Sequence, residues 1–240
     1  MKFKTSSFWK VFHRHGCGWF VIGCALKFIR HSKDAAGYGM ADMLDFIDKY
    51  RDIYEEQFVI RPTETNKGHS LTLTEHDKAA KLRRITVYGV SEDAMLLPLH
   101  RYSELDLGNK LKSILKPDLG IFRCCDYLLV SIVRGKPYLF FLEMKSRNIT
   151  RAMIKEQFKG ATCFLEYCHA IIEHFHGVAL PKPSSVERRY ISFKVGAANK
   201  RPTKAHERKR PSTADDFALY KVAVDKSKSA TVPFRELTSK

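Results

Sequence analysis

Apolar residues recur along this chain at two spacings. Over 125–148, CDYLLVSIVRGKPYLFFLEMKSRN carries two stretches of apolar and β-branched residues on either side of Arg-Gly-Lys-Pro, the pattern of two strands about a turn. Over 151–175, Ile154, Phe158, Ala161, Leu165, Cys168, Ile172 and Phe175 alternate fours and threes. That spacing predicts a long helix with one buried stripe, and Asn148 and Thr150 are candidates to cap its start. A second helix is predicted over 40–58 from apolar residues at 40, 43, 44, 47, 50, 54 and 58. Its acids mostly fall off that stripe and read as a solvated face, with Glu55 and Glu56 held in reserve as metal ligands. Residues 61–70 read as a turn-rich link, 71–73 and 85–90 as short strands, and 190–195 as a half-exposed strand. One or two closing strands are expected over 217–224 and 230–237, and 91–119 shows no assignable period. Strands mixed with one long helix indicate a single α/β domain across 1–240.

The hairpin raises a chemical question, because its apolar second arm ends in Glu143-Met144-Lys145. Taking 134–137 as a four-residue loop pairs Val133 with Tyr138, so that Leu128 faces Glu143 and Asp126 faces Lys145. Side chains alternate faces along a strand, so Glu143 and Lys145 point the same way and Asp126 joins them. Charges gathered on a buried sheet are costly unless paired or solvated. The plain account is an Asp126–Lys145 salt bridge at the rim. Glu143, however, closes a run of five apolar residues, 138–142, and a second acid stands across the ribbon. Two carboxylates can hold a hard divalent cation, Mg²⁺ or Mn²⁺, and a neighbouring lysine can orient water and neutralise developing charge. Phosphodiester hydrolysis needs that chemistry.

Charge balance points toward a matching substrate. The 240 residues carry a formal net charge of +16, which implies a polyanionic partner or an anionic membrane surface. Between Lys182 and Lys240, basic residues outnumber acidic ones 15 to 6, and NKRPTKAHERKRP at 199–211 reads as a flexible basic loop. Lys200, Arg201, Lys204, Arg208, Lys209 and Arg210 are therefore candidate contacts to a nucleic-acid backbone, with little sequence selectivity. The basic and apolar segment 1–35 contains an apolar run at 17–29 that resembles a signal or weak anchor. That run falls short of the roughly 20 residues a bilayer needs, and Lys27 interrupts it. Core packing is the expectation, which argues against a membrane partner. Six cysteines without a CxxC pair read as reduced thiols in a cytoplasmic protein, not as a disulfide framework or zinc site. His13 and His15 lack a partner cluster in sequence, and His174 and His176 end a predicted helix, where cationic side chains complement the dipole.

Asp126, sixteen residues, then Glu143-Met144-Lys145 on a hydrophobic strand resembles the PD-(D/E)XK superfamily of restriction-endonuclease-like nucleases, over about 120–175. The resemblance implies an α/β fold with a central mixed β-sheet flanked by helices. It implies Asp126 and Glu143 as metal ligands, joined by the Met144 carbonyl, with Lys145 as the catalytic lysine and Gln157, early in the following helix, as a supporting residue. It further implies Mg²⁺ (or Mn²⁺), DNA ahead of RNA as substrate, and service in restriction or other anti-phage defence, with a homodimer or a defence-system protein as partner. Pro117-Asp118 also matches the motif's first half. It ranks second, because eight extended residues would carry Asp118 past the end of the hairpin. Two other readings stay open: a non-catalytic, basic nucleic-acid-binding subunit, and a peripheral membrane protein held through 17–29.

Overall fold

The computed structural model describes residues 47–52, 54, 56–99, 123–145, 150–175, 177, 186–196 and 213–239. All of them belong to one unit, Tyr38–Lys240. The strands are β1 (Thr63–Thr65), β2 (Gly68–Thr74), β3 (Arg84–Val90), β4 (Met95–Pro98), β5 (Tyr127–Val133), β6 (Lys136–Lys145), β7 (Glu187–Val195), β8 (Ala218–Val222) and β9 (Ser229–Pro233). Helix α1 covers Arg151–Phe175 and a short α2 covers Phe234–Thr238. The protein is thus mixed α/β, built on two mixed sheets.

The first sheet has the order β4-β5-β6-β7-β8. Its first three strands form an antiparallel meander, and β7 and β8 then run parallel to β6. A parallel pair needs a crossover, and α1 supplies it between β6 and β7. The second sheet, β1-β2-β3-β9, is antiparallel except where β9 joins β3.

Strand β6 lies between two cores. Leu139 and Phe141 pack with Ile154, Phe158, Ala161 and Leu165 of α1. Phe140, Leu142 and Met144, on the opposite face, pack with Leu71, Leu73, Ile85 and Val87 of the second sheet. Nine of its ten residues are buried in consequence. Each large apolar side chain so covered contributes roughly 1.5–3 kcal/mol, which is ample reason for the apolar run at 138–142. A helix flanks one face, as expected; the other is covered by a β-sheet.

Several expectations need correction. The hairpin turn has two residues, not four: Val133 pairs with Lys136, and Arg134 and Gly135 have φ of 51° and 72°. Two successive left-handed residues make the tight connection whose twist matches paired strands. The register therefore slips by two from the expected one, with Tyr127 opposite Leu142 and Leu128 opposite Phe141. Asp126 is carried opposite Glu143 rather than Lys145. Residues 61–70 hold β1 and the start of β2. Strand β7 is not half-exposed, because it is interior to its sheet and Arg189, Tyr190, Ile191, Ser192 and Phe193 are all buried. Helix α1 follows its predicted stripe from Ile154 to Ile172, but Phe175 is 75% exposed and His169 takes a buried place. Thr150 caps α1 by accepting from the Met153 N–H at 3.3 Å. Of the helix predicted over 40–58, residues 47–52 are described as α-helical and Glu56–Phe58 as a 3-10 turn, with Ile47 and Tyr50 buried.

Arg134 holds a conformation that costs a side chain bearing a Cβ, whereas asparagine adopts it readily. Arg134→Asn is expected to stabilise the protein by about 1 kcal/mol, raising the thermal midpoint by roughly 2–4 °C at this chain length. A circular-dichroism melt checks this, and an unchanged midpoint would mean that the turn carries no such cost.

Candidate active site

The hairpin and its turn bring Asp126, Glu143 and Lys145 to one place. Asp126 immediately precedes β5, and Glu143 and Lys145 close β6. A two-residue slip of register keeps face parity, so all three still share a face, the one that carries α1. The Asp126 main-chain N–H donates to Glu143 Oε2 at 3.1 Å. The Met144 N–H donates to Asp126 Oδ2 at 2.6 Å. Glu143 Oε1 and Lys145 Nζ form an ion pair. Lys145 is thus paired with Glu143, its sequence neighbour but one on the same face, where the plain account had it bridging to Asp126.

Burial sets the electrostatics. Glu143 is fully buried, and Lys145 is 8% exposed. Loss of water lowers the Lys145 pKa below its ordinary value, an effect opposed by the negative charges of Asp126 and Glu75. Glu75 was missed by the sequence reading. It follows β2 in the second sheet, and its carboxylate accepts from the Asp77 N–H at 3.0 Å. The device that joins this sheet to the site is Tyr127, next to Asp126: its hydroxyl accepts from the Thr74 N–H at 2.9 Å and donates to the Thr74 carbonyl at 2.8 Å. No local pattern links residues fifty positions apart, so only the packing of one sheet on the other could reveal Glu75.

The donor set fits a hard divalent cation. Both acids present oxygen, the ligand type Mg²⁺ prefers, and an octahedral ion keeps several waters, so two carboxylates suffice to hold it. Among the described residues, no group of three or more His, Cys, Asp or Glu is disposed to hold a metal. Glu56, one of the reserve ligands, is exposed and pairs with Arg61 at 3.2 Å, while Glu55 lies outside the described residues.

The other expected site residues divide. Met144 lies between the two charged residues, its side chain in the core and its N–H on Asp126. Gln157 lies in the second turn of α1, and its Oε1 is buried without a hydrogen-bond partner. No hydrogen bond joins it to the acids. Asp118, the segment 1–35 with its run at 17–29, and Lys200, Arg201, Lys204, Arg208, Lys209 and Arg210 lie outside the described residues. No helix among the described residues is long and apolar enough to cross a membrane.

No protein-family model matches the chain, and neither a curated protein nor a solved structure matches it.

A buried pair is destabilised far more by losing one member than by losing both to apolar residues. Lys145→Met is expected to lower unfolding free energy by about 3–5 kcal/mol, because Glu143 is left buried without a cation. Glu143→Leu combined with Lys145→Met should recover most of that loss. Urea unfolding of the two variants decides the matter; a single variant as stable as wild type would mean that water reaches Glu143 and compensates it.

Proposed function

We propose that this protein is a metal-dependent nuclease of restriction-endonuclease-like architecture that hydrolyses phosphodiester bonds. One observation carries the reading: Asp126, Glu143 and Lys145, from the two arms of one hairpin, meet at the end of a strand whose burial gives two charges no structural reason to be there. The mixed central sheet with a helix crossing from β6 to β7 supports it. So does the position of the cluster at the carboxyl end of a parallel strand, where open α/β sheets place their ligands.

In this reading Asp126 and Glu143 would hold Mg²⁺ or Mn²⁺, with the Met144 carbonyl available as a third oxygen. The bound cation would supply Lewis-acid polarisation of the phosphate and a more acidic water. The chain's own contributions are positional and electrostatic. The Met144 N–H fixes the Asp126 carboxylate, and the Asp126 N–H fixes that of Glu143. Lys145, with its pKa lowered by burial, would orient the attacking water and offset negative charge gathering on the phosphate oxygens. Hydrolysis breaks one P–O ester bond, adds the water oxygen to phosphorus, and delivers the water's proton to the leaving oxygen. Gln157, with its buried and unpartnered Oε1, would support that water from the helix side. DNA ranks ahead of RNA, and a role in restriction or anti-phage defence, alone as a dimer or with a partner protein in the cytoplasm, follows from the resemblance alone.

The Glu143–Lys145 ion pair itself favours a second reading, a non-catalytic nucleic-acid-binding subunit whose charges satisfy each other. The two separate on metal. A nuclease is expected to cut plasmid DNA or RNA with Mg²⁺ or Mn²⁺ and to stop with chelator. Asp126→Asn, Glu143→Gln and Lys145→Met should each lose at least 100-fold in cutting while retaining binding. Wild-type protein that binds nucleic acid and leaves it intact at every divalent-metal concentration would establish the second reading instead.

A further inference from the structure

Beside the carboxylates, on the same face of the sheet, three lysines stand in a row. Lys145 on β6 is the register partner of Lys194 on β7, and Lys194 is the register partner of Lys221 on β8. Neighbouring strands lie about 4.8 Å apart, so the row spans roughly 10 Å. Like charges directly across adjacent strands destabilise a sheet. No described acidic residue forms an ion pair with Lys194 or Lys221, and both are exposed. The Lys221 stem runs beside Gly196, just past β7, where a Cβ would lie in ordinary contact with it, 3.4 Å from Cδ.

A second observation points to the same ligand. Ser192, the register partner of Glu143, is fully buried, and its Oγ has no hydrogen-bond partner. An unmatched buried hydroxyl costs about 1–3 kcal/mol. Ser192 lines a cleft with Lys145, Lys194, Arg151, Phe217 and Leu219. Arg151 is steadied there, its guanidinium 4.3 Å from the centre of the Phe217 ring. Leu219 is 47% exposed at the cleft's edge. A hydroxyl donor, a guanidinium and exposed ammonium groups converge, and no register position of the lysine row itself carries an acid, Glu143 and Asp126 standing two residues back along the same face. That chemistry takes an anion with several acceptor oxygens.

We propose that this cleft binds the phosphodiester backbone of a nucleic-acid strand beside the scissile group, with Ser192, Arg151 and Lys194 on one phosphate and Lys221 on the next. The inference rests on the nuclease reading for what lies next door, but the binding it describes requires no cutting. It reads charge and spacing, not base edges, so it confers affinity without sequence preference.

The test uses full-length protein carrying Glu143→Gln, in chelator, with a fluorescein-labelled 20-nucleotide single strand followed by anisotropy across a salt series. Adding Lys194→Ala and Lys221→Ala should weaken binding about tenfold or more at 0.1 M salt. It should also reduce the magnitude of the slope of log K against log salt by about 1.4, two contacts at roughly 0.7 each. Adding Lys194→Arg and Lys221→Arg instead should restore the slope. Ser192→Ala should weaken binding without changing the slope, because it removes a donor and no charge. An unchanged slope in the double alanine variant overturns the proposal. So does retained oligonucleotide binding with loss of binding to phosphatidylserine vesicles, which would assign the row to a membrane surface. Absence of cutting by the wild type, together with the expected slope change, would sink the nuclease reading and leave this one standing.

Discussion

Coverage of β6 on both faces is the constraint from which the rest follows. With α1 on one side and the second sheet on the other, every residue of the strand from Pro137 onward is buried. Apolar residues accept that position at a gain. A carboxylate and an ammonium accept it only against a strong opposing cost, since desolvation of each ion exceeds what an isolated pair regains. Glu143 and Lys145 are therefore held in place by the packing of five apolar neighbours, not by any stability of their own. Strain of this electrostatic kind is what a reactive site requires, because charges kept from water interact strongly with whatever enters next.

Parity explains why an incorrect register still led to the correct grouping. The four-residue loop expected at 134–137 and the two-residue turn that forms differ by two positions along each pairing, and side chains repeat faces every two. Asp126 moves from beside Lys145 to beside Glu143 without leaving the face. A slip of one would have sent Asp126 into the opposite core. The detail that changed is chemical: Asp126 and Glu143 are linked through main-chain N–H groups at 3.1 and 2.6 Å, which fixes two carboxylates as neighbours and leaves the lysine paired with Glu143.

The second sheet does more than cover β6. Tyr127 passes its hydroxyl to the main chain of Thr74, tying the end of β2 to the start of β5 beside Asp126. That link brings Glu75 near enough to favour the charged form of Lys145 against burial. Across the first sheet, β7 and β8 extend the same face with Ser192, Lys194 and Lys221. The site is thus assembled from both sheets and the start of α1, with the hairpin at its centre.

Local pattern by itself determined the hairpin, α1 with its stripe from Ile154 to Ile172, the Thr150 cap, the short strands near 71–73 and 85–90, and the convergence of Asp126, Glu143 and Lys145. These depend on periods of two and 3.6 and on a turn between adjacent segments, so they are written in neighbouring residues. Tertiary structure decided what depends on segments distant in the chain. It buried β7 on both faces although 190–195 alternates, because β7 lies between β6 and β8 with a layer above and below. It exposed Phe175 at the last position of α1 and buried His169, whose ring meets that of Tyr50 edge-on at 5.4 Å. It sent β9 to β3 in the other sheet, and it placed Glu75, Ser192, Lys194 and Lys221 around the acids. Pairing partners across fifty or more residues are chosen by which faces can exclude water together, and no single stretch of sequence carries that choice.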